Sequence, residues 1–317
     1  MTSLLFQEGL MHRLPPVRGK LTANASLHDN SWFRVGGPAE VLFKPADKQD
    51  LAAFLKDCPA GVPLTVLGAG SNILIRDGGI SGVVIKLGPS FASIEQQGET
   101  LTVGAAAIDL NIARAAQKAS LAGLEFLSGI PGTLGGALRM NAGAHDREIK
   151  DCVVSVTTLD RQGEVHILTA EQMGFTYRRS SLPPDWIFIS ATLHGTIGNP
   201  QVIEGRMQTI AKSRAAAQPI REKTCGSTFA NPDGQKAWQL IERAGCRGLR
   251  IGGAMMAEQH CNFMINTGAA TAADLEALGQ EVQTRVKENS GIELRWEVRR
   301  IGVAAKAMES PPPRGEG

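Results

Sequence analysis

Leu67-Gly68-Ala69-Gly70-Ser71-Asn72 follows directly on the run Pro63 to Leu67 and leads straight into Ile73-Leu74-Ile75. The flanking pieces are short and apolar, and both read as strands. Glycines at 68 and 70 let the backbone turn sharply and bring successive N–H groups together, while Ser71 and Asn72 add short polar side chains. Such a nest suits the oxygens of a pyrophosphate. A tight hairpin turn is the plainer alternative. Two common nucleotide loops do not fit: a dinucleotide fingerprint needs a third glycine and a following helix, where this chain has Ile73 and more strand. A Walker loop ends in Gly-Lys-Ser/Thr, and no such tripeptide follows.

On either side, elements alternate. Val41-Leu42-Phe43 reads as a strand, and Asp47 as the N-cap of a helix burying Leu51, Phe54 and Leu55. Val83-Val84-Ile85 and Leu101-Thr102-Val103 read as strands. Asp109 reads as the cap of a helix that carries Leu110, Ala113 and Ala116 and stops near Gly123. The segment 128–144, five of whose residues are glycine, shows neither strand nor helix period and reads as a long loop. Loops of that length inside a compact domain are usually functional. Residues 151–168 read as two strands joined across Arg161-Gln162-Gly163, and Asn199-Pro200 opens a helix that ends before Pro219. Later helices carry Trp238 and Ile241, then Leu275, Leu278, Val282 and Val286 behind a Thr271 to Asp274 capping box. Ile292 to Ile301 alternates apolar and charged residues as a last strand would.

Composition narrows the functions. A length of 317 residues suggests about two domains at roughly 150 residues each. Lys plus Arg total 33 against 31 Asp plus Glu, a net charge of +2, so no basic footprint asks for nucleic acid or an acidic membrane. Apolar runs are too short for a membrane span or a secretory core segment. Five scattered cysteines without a CxxC pair fit a reducing cytoplasm and oppose a disulfide framework or cysteine zinc site. The six histidines lack HxxxH or HExxH spacing, so no metal is expected.

Three segments in order, RVGGPAE (34–40), LGAGSNILIRDGG (67–79) and SGIPGTLGGALRMNAGA (128–144), resemble the FAD-binding half of the UDP-N-acetylenolpyruvoylglucosamine reductases. The resemblance continues through TYRRSSL (176–182), RAAAQP (214–219), CGSTFANP (225–232), HCNFMIN (260–266) and WEVRRIG (296–302). It implies an α+β fold: a two-subdomain FAD-binding module of the PCMH or vanillyl-alcohol-oxidase type, then a smaller α+β substrate domain. The implied division is an N-terminal arm (1–29), the FAD module (30–200), the substrate domain (201–307) and a disordered tail (308–317). It further implies that NADPH reduces FAD, which then delivers hydride to the enolpyruvyl ether of a UDP-sugar, giving UDP-N-acetylmuramate for peptidoglycan. The substrate is a small molecule, and the chain is expected to be a cytoplasmic monomer.

The implied cofactor residues are Arg34, Gly36, Gly68, Ala69, Gly70, Ser71, Asn72, Gly129, Ile130, Pro131, Gly132, Thr133, Gly135, Gly136, Asn141 and Gly143. The implied substrate residues are Asn231, His260 and Arg214, where His260 reads equally well as a structural histidine.

The chemistry needs a cation and hydrogen-bonding groups for a developing enolate, and a proton donor for its carbon. The family pattern assigns these roles to Arg178, Ser227 and Glu297. A guanidinium grips a carboxylate in a planar fork. A serine hydroxyl is a weak acid that serves only a strongly basic partner within reach, and Cys225 is its rival on acidity. Glu297 must be desolvated to hold the proton it donates. Tyr177, the single tyrosine, lies beside Arg178, so none remains for the substrate-closing loop of one family branch, and the chain resembles the loop-lacking type II. A flavin oxidase of the same fold and a non-catalytic nucleotide-binding module are the alternatives.

Overall fold

The computed structural model describes residues 9–305. After a short helix, α1 (Leu10–Arg13), the first lobe is built on a four-stranded sheet in the order β1 (Lys20–Ser26), β2 (Pro38–Lys44), β5 (Ile80–Lys86), β3 (Leu64–Leu67). β1 runs antiparallel to β2, and β2, β5 and β3 are mutually parallel. Val41, Phe43, Val83 and Ile85 pack under α2 (Lys48–Asp57), whose own Leu51, Phe54 and Leu55 complete that layer. Leu42 and Val84 point the other way into a separate cluster. Burial on both faces is why these strands read as continuous apolar runs. The Asp47 side chain caps α2 by accepting from the Asp50 amide at 2.9 Å.

Residues 20–26, assigned to a loose arm, are instead β1 of this sheet. Buried Asp50 fixes its start by accepting from the amides of Arg18 (2.7 Å), Gly19 (2.9 Å) and Ala46 (2.9 Å). The tail 308–317 and the first eight residues lie outside the described residues.

The second lobe holds β6 (Ile94–Gln97) and β7 (Thr100–Gly104), the short strands β8 (Leu121–Ala122), β9 (Gly143–Ala144) and β10 (Arg147–Glu148), then β11 (Val153–Leu159), β12 (Val165–Thr169), β13 (Ile187–His194) and β14 (Thr196–Ile197). Its main sheet is antiparallel in the order β12-β11-β13-β7-β6. α3 (Asp109–Lys118) and α4 (Leu134–Met140) close its core around Val103, Ile112, Leu138, Val156 and Leu193. α5 (Pro200–Ala217), capped by Asn199, lays Met207 on the same core.

Three expectations are corrected here. The segment 128–144 is not all loop, because residues 134–140 form α4, with Gly135 and Gly136 in its first turn. A Cβ on Gly135 would stand 3.2 Å from the Ala105 carbonyl oxygen, so glycine is retained for close packing despite its poor helix propensity. Asp109 does not cap α3: Ile108 occupies the N-cap, and no side chain caps that end. That helix also ends at Lys118, before Ser120 adopts a φ of 58°, rather than near Gly123.

The third unit joins β15 (Arg250–Ile251), β16 (Ala254–Met256) and β17 (Met264–Asn266) to α6 (Ala237–Arg243) and α7 (Ala272–Ser290) over Leu240, Met256, Leu275, Leu278 and Val282. Thr271 and Asp274 form the capping box of α7. Residues 292–301 are not one strand: only β18 (Arg299–Ile301) forms a paired strand, in parallel with β4 (Ile73–Ile75), and Trp296 adds an isolated bridge to Phe229. The final strand thus returns to the element that follows the glycine nest.

Candidate active site

β3 ends at Leu67 and the chain turns through the nest with Gly70 at φ 72°. A Cβ there would run into the Asn30 carbonyl oxygen, and the Gly70 carbonyl accepts from the Trp32 amide at 3.1 Å. The second glycine segment faces the first across a narrow gap. A Cβ on Gly68 would lie 2.9 Å from Thr133 Oγ1, and one on Gly132 would lie 3.1 Å from Asp109 Oδ2 and 3.5 Å from Ser71 Oγ. Main chain from two lobes therefore forms the walls of a cavity of about 1130 Å³. Residues 68–72 and 129–133, together with Gly135, Gly136, Gly143, Arg178, Arg214, Ser227 and Glu297, all line it.

Arg178 stands in a two-residue turn closed by Thr176 and Arg179, whose amides and carbonyls bond reciprocally at 2.9 and 3.1 Å. Its φ of 55° is the left-handed value that the third position of a type II turn demands and that glycine usually supplies. A strained arginine aimed into a cavity is a mark of function. Its Nε donates to Glu297 Oε1 at 3.0 Å. Burial raises the Glu297 pKa, and the adjacent guanidinium opposes this without cancelling it. The Glu297 amide donates to the Thr228 carbonyl at 2.8 Å, which places its backbone beside Ser227. Asn72 Nδ2 donates to the Glu297 carbonyl at 3.2 Å, and the Arg299 amide donates to the Asn72 carbonyl at 3.0 Å. Nest, carboxyl and serine segment are thus one hydrogen-bonded assembly. Cys225 is no acid here: burial pushes its thiol up to about 12, and its Sγ lies 3.3 Å from the Ile73 carbonyl and 3.5 Å from that of Gly70.

Residues 218–301 match the C-terminal domain of UDP-N-acetylenolpyruvoylglucosamine reductase, and residues 39–169 match an FAD binding domain. A UDP-N-acetylenolpyruvoylglucosamine reductase from Rhodospirillum rubrum is 56% identical over 315 residues, covering 98% of this chain and 99% of that one. Its counterpart from Parvibaculum lavamentivorans is 58% identical over 294 residues, covering 93% and 95%. This chain belongs to the UDP-N-acetylenolpyruvoylglucosamine reductase family. The solved reductase from Thermus caldophilus agrees in fold, with a TM-score of 0.78 at 34% identity over 90% of this chain and 99% of that one. A 6-hydroxy-D-nicotine oxidase from Arthrobacter nicotinovorans shares the architecture at 12% identity and a TM-score of 0.52 over 88% of each chain, which speaks for fold alone.

The reductase family's flavin fits this cavity. The nest amides suit its diphosphate, and the apolar surfaces of Trp32, Ile108 and Ile220, all exposed, line the cavity where a large planar ligand would cover them. Among the described residues, both carboxyl oxygens of fully buried Asp109, beside the Gly132 backbone, lack a hydrogen-bond partner, and burial raises its pKa well above the carboxylate range.

Five residues named from the reductase resemblance stand off the cavity. Arg34 pairs with Asp29 at 2.7 Å on an exposed face, and Gly36 packs its Cα against Ile75. Asn231 Oδ1 accepts from the Ala237 amide at 2.9 Å at the start of α6. His260 stacks edge-on against Phe263, which itself lines the cavity. Asn141 is fully buried at the end of α4, with Nδ2 donating to the Thr176 carbonyl at 3.1 Å, so it steadies the Arg178 turn from behind. Sequence reasoning missed Arg139, whose half-buried guanidinium faces the cavity and donates to the carbonyls of Leu182 and Pro183 at 3.0 Å and Trp186 at 2.6 Å. Burial, then the nearby Arg299 charge, lowers its pKa to about 10.

Proposed function

We propose that this chain reduces the enolpyruvyl ether of UDP-N-acetylglucosamine-enolpyruvate to UDP-N-acetylmuramate, with NADPH as reductant. The observation that carries the reading is the Arg178–Glu297 pair, which shares one cavity with Ser227 and the facing glycine walls. FAD, which residues 68–72 and 129–133 would hold, would supply the hydride chemistry that links NADPH to the terminal vinyl carbon. The protein's own groups handle the charge that follows. The Arg178 guanidinium grips the substrate carboxylate, onto which negative charge spreads as the enolate forms. Glu297, with its pKa raised by burial, holds a proton and donates a hydrogen bond to the same oxygens. The Ser227 hydroxyl protonates the neighbouring carbon and regains its proton from solvent. Arg214, a desolvated cation at the cavity wall, suits the diphosphate of the sugar nucleotide.

The single tyrosine supports the type II reading, in which no tyrosine hydroxyl closes over the sugar. The packing of α5 on the second lobe, with the family match beginning at residue 218, supports starting the substrate domain after α5 rather than at 201. Five free, buried cysteines support a reducing compartment, and among the described residues no helix is long and apolar enough to cross a membrane. The protein acts as a cytoplasmic monomer on this reading, which size-exclusion chromatography checks.

Stopped-flow analysis of the two half-reactions tests the mechanism. Ser227→Ala should leave flavin reduction by NADPH nearly intact and slow reoxidation by the enolpyruvyl sugar by about 10² to 10⁴. Equal loss in both halves would remove the proton-donor role. Faster reoxidation by oxygen than by the sugar would favour an oxidase instead.

A further inference from the structure

Building on the flavin reading above, we propose that the Lys86 side chain is a further ligand of the cofactor diphosphate and supplies the full positive charge that the glycine nest lacks. Lys86 is the last residue of β5, and its register partner on the adjacent parallel strand is Leu67, which runs directly into Gly68. In sheets of parallel strands, ligands collect beyond the carboxyl ends, and these two ends lie side by side. The side chain is half-buried and lines the cavity. Its Nζ donates to Asn30 Oδ1, and the Asn30 carbonyl is the group packed against the Gly70 Cα. Asn30 therefore aims the ammonium at the nest while leaving its charge uncompensated.

No carboxylate pairs with Lys86 among the described residues, and the charge that acts on it is the like charge of Lys44. Burial and that repulsion both lower its pKa, so the site disfavours its own cation until an anion arrives. The nest amides offer partial charges only. An ammonium beside them adds a charge-assisted hydrogen bond to a phosphate oxygen, stronger than a neutral one. None of the residues named from the family resemblance provides such a charge at this end of the cavity.

Titration of the flavin-free full chain with FAD, ADP and riboflavin tests this, with ADP followed by displacement of FAD. Lys86→Met should weaken FAD and ADP by about tenfold to a hundredfold and leave riboflavin, which has no phosphate, unchanged. Its FAD affinity should also depend less on salt than that of the wild type. Lys86→Arg should retain most of the affinity, and Lys86→Gln replaces the methionine variant if that chain does not fold. Unchanged FAD or ADP affinity overturns the inference, and so does equal weakening of all three ligands, which would mark a structural role. A wild-type chain that takes up no FAD removes the flavin reading and this inference together. A wild type that binds FAD no better than Lys86→Met removes the inference alone.

Discussion

Burial keeps the Asp109 carboxyl protonated in the folded chain over a pH range where the unfolded chain has already released that proton. Its contribution to stability is therefore complete below the unfolded carboxylate range and is lost as pH rises toward the elevated folded value. Asp109→Asn abolishes the titration, so the stability of the variant relative to wild type should grow as the pH is raised from the ordinary carboxylate range toward the elevated folded value. Urea midpoints of the flavin-free proteins at both ends check this, and a difference independent of pH would show that the group titrates normally. An aspartate at a helix start looks alike in sequence whether it caps the backbone or sits buried without a partner, so this residue was misread. Arg178, Ser227 and Glu297 were legible only through motif register. An arginine, a serine and a glutamate separated by up to 119 positions carry no local pattern that unites them.

At the scale of elements, the Arg178 turn depends on the end of α4. Asn141 adopts a left-handed φ of 41° there, and its side chain spends all its bonds internally, on Glu148 Oε2 (3.0 Å), the Thr176 carbonyl (3.1 Å) and the Lys150 amide (3.2 Å). Asn141→Ala strips three part-buried bonds and should cost about 1–3 kcal/mol of stability. Because the turn then loosens, kcat should fall together with stability while the KM for NADPH changes little. A variant with full kcat would uncouple helix end from turn. The strands of the first sheet were readable because burial on both faces leaves unbroken apolar runs, as in Val83-Val84-Ile85. α4 was hidden because its first turn carries two glycines, whose value lies in close approach to Ala105, a tertiary fact. The last strand was overextended because alternation persists through residues 292–298, where only the isolated bridge of Trp296 to Phe229 forms.

Over the whole molecule, the substrate unit is bound to the first lobe by more than the connecting chain. β18 pairs with β4, Asp77 accepts from the amides of Ala272 and Ala273 at 2.9 Å, and Arg76 forks onto Glu276 at 2.9 to 3.1 Å. Glu276→Gln weakens this fork, and Arg300 loses its nearby acid as well. The variant should lose about 1–3 kcal/mol. Thermal unfolding should remain a single transition, since the pairing of β18 with β4 survives, and two separated transitions would show that the units fold independently.

The facing glycine walls also bear on how the protein tolerates change. Their grip is exerted by peptide groups, which every residue possesses, so substitutions alter it only by adding bulk. At Gly70 or Gly132 an added Cβ meets the Asn30 carbonyl or the Asp109 carboxyl, so it forces the wall itself to shift and moves the amides that the native ligand and any competitor would share. A small molecule that anchored itself to these amides would leave the gene few escape routes that spared its own product.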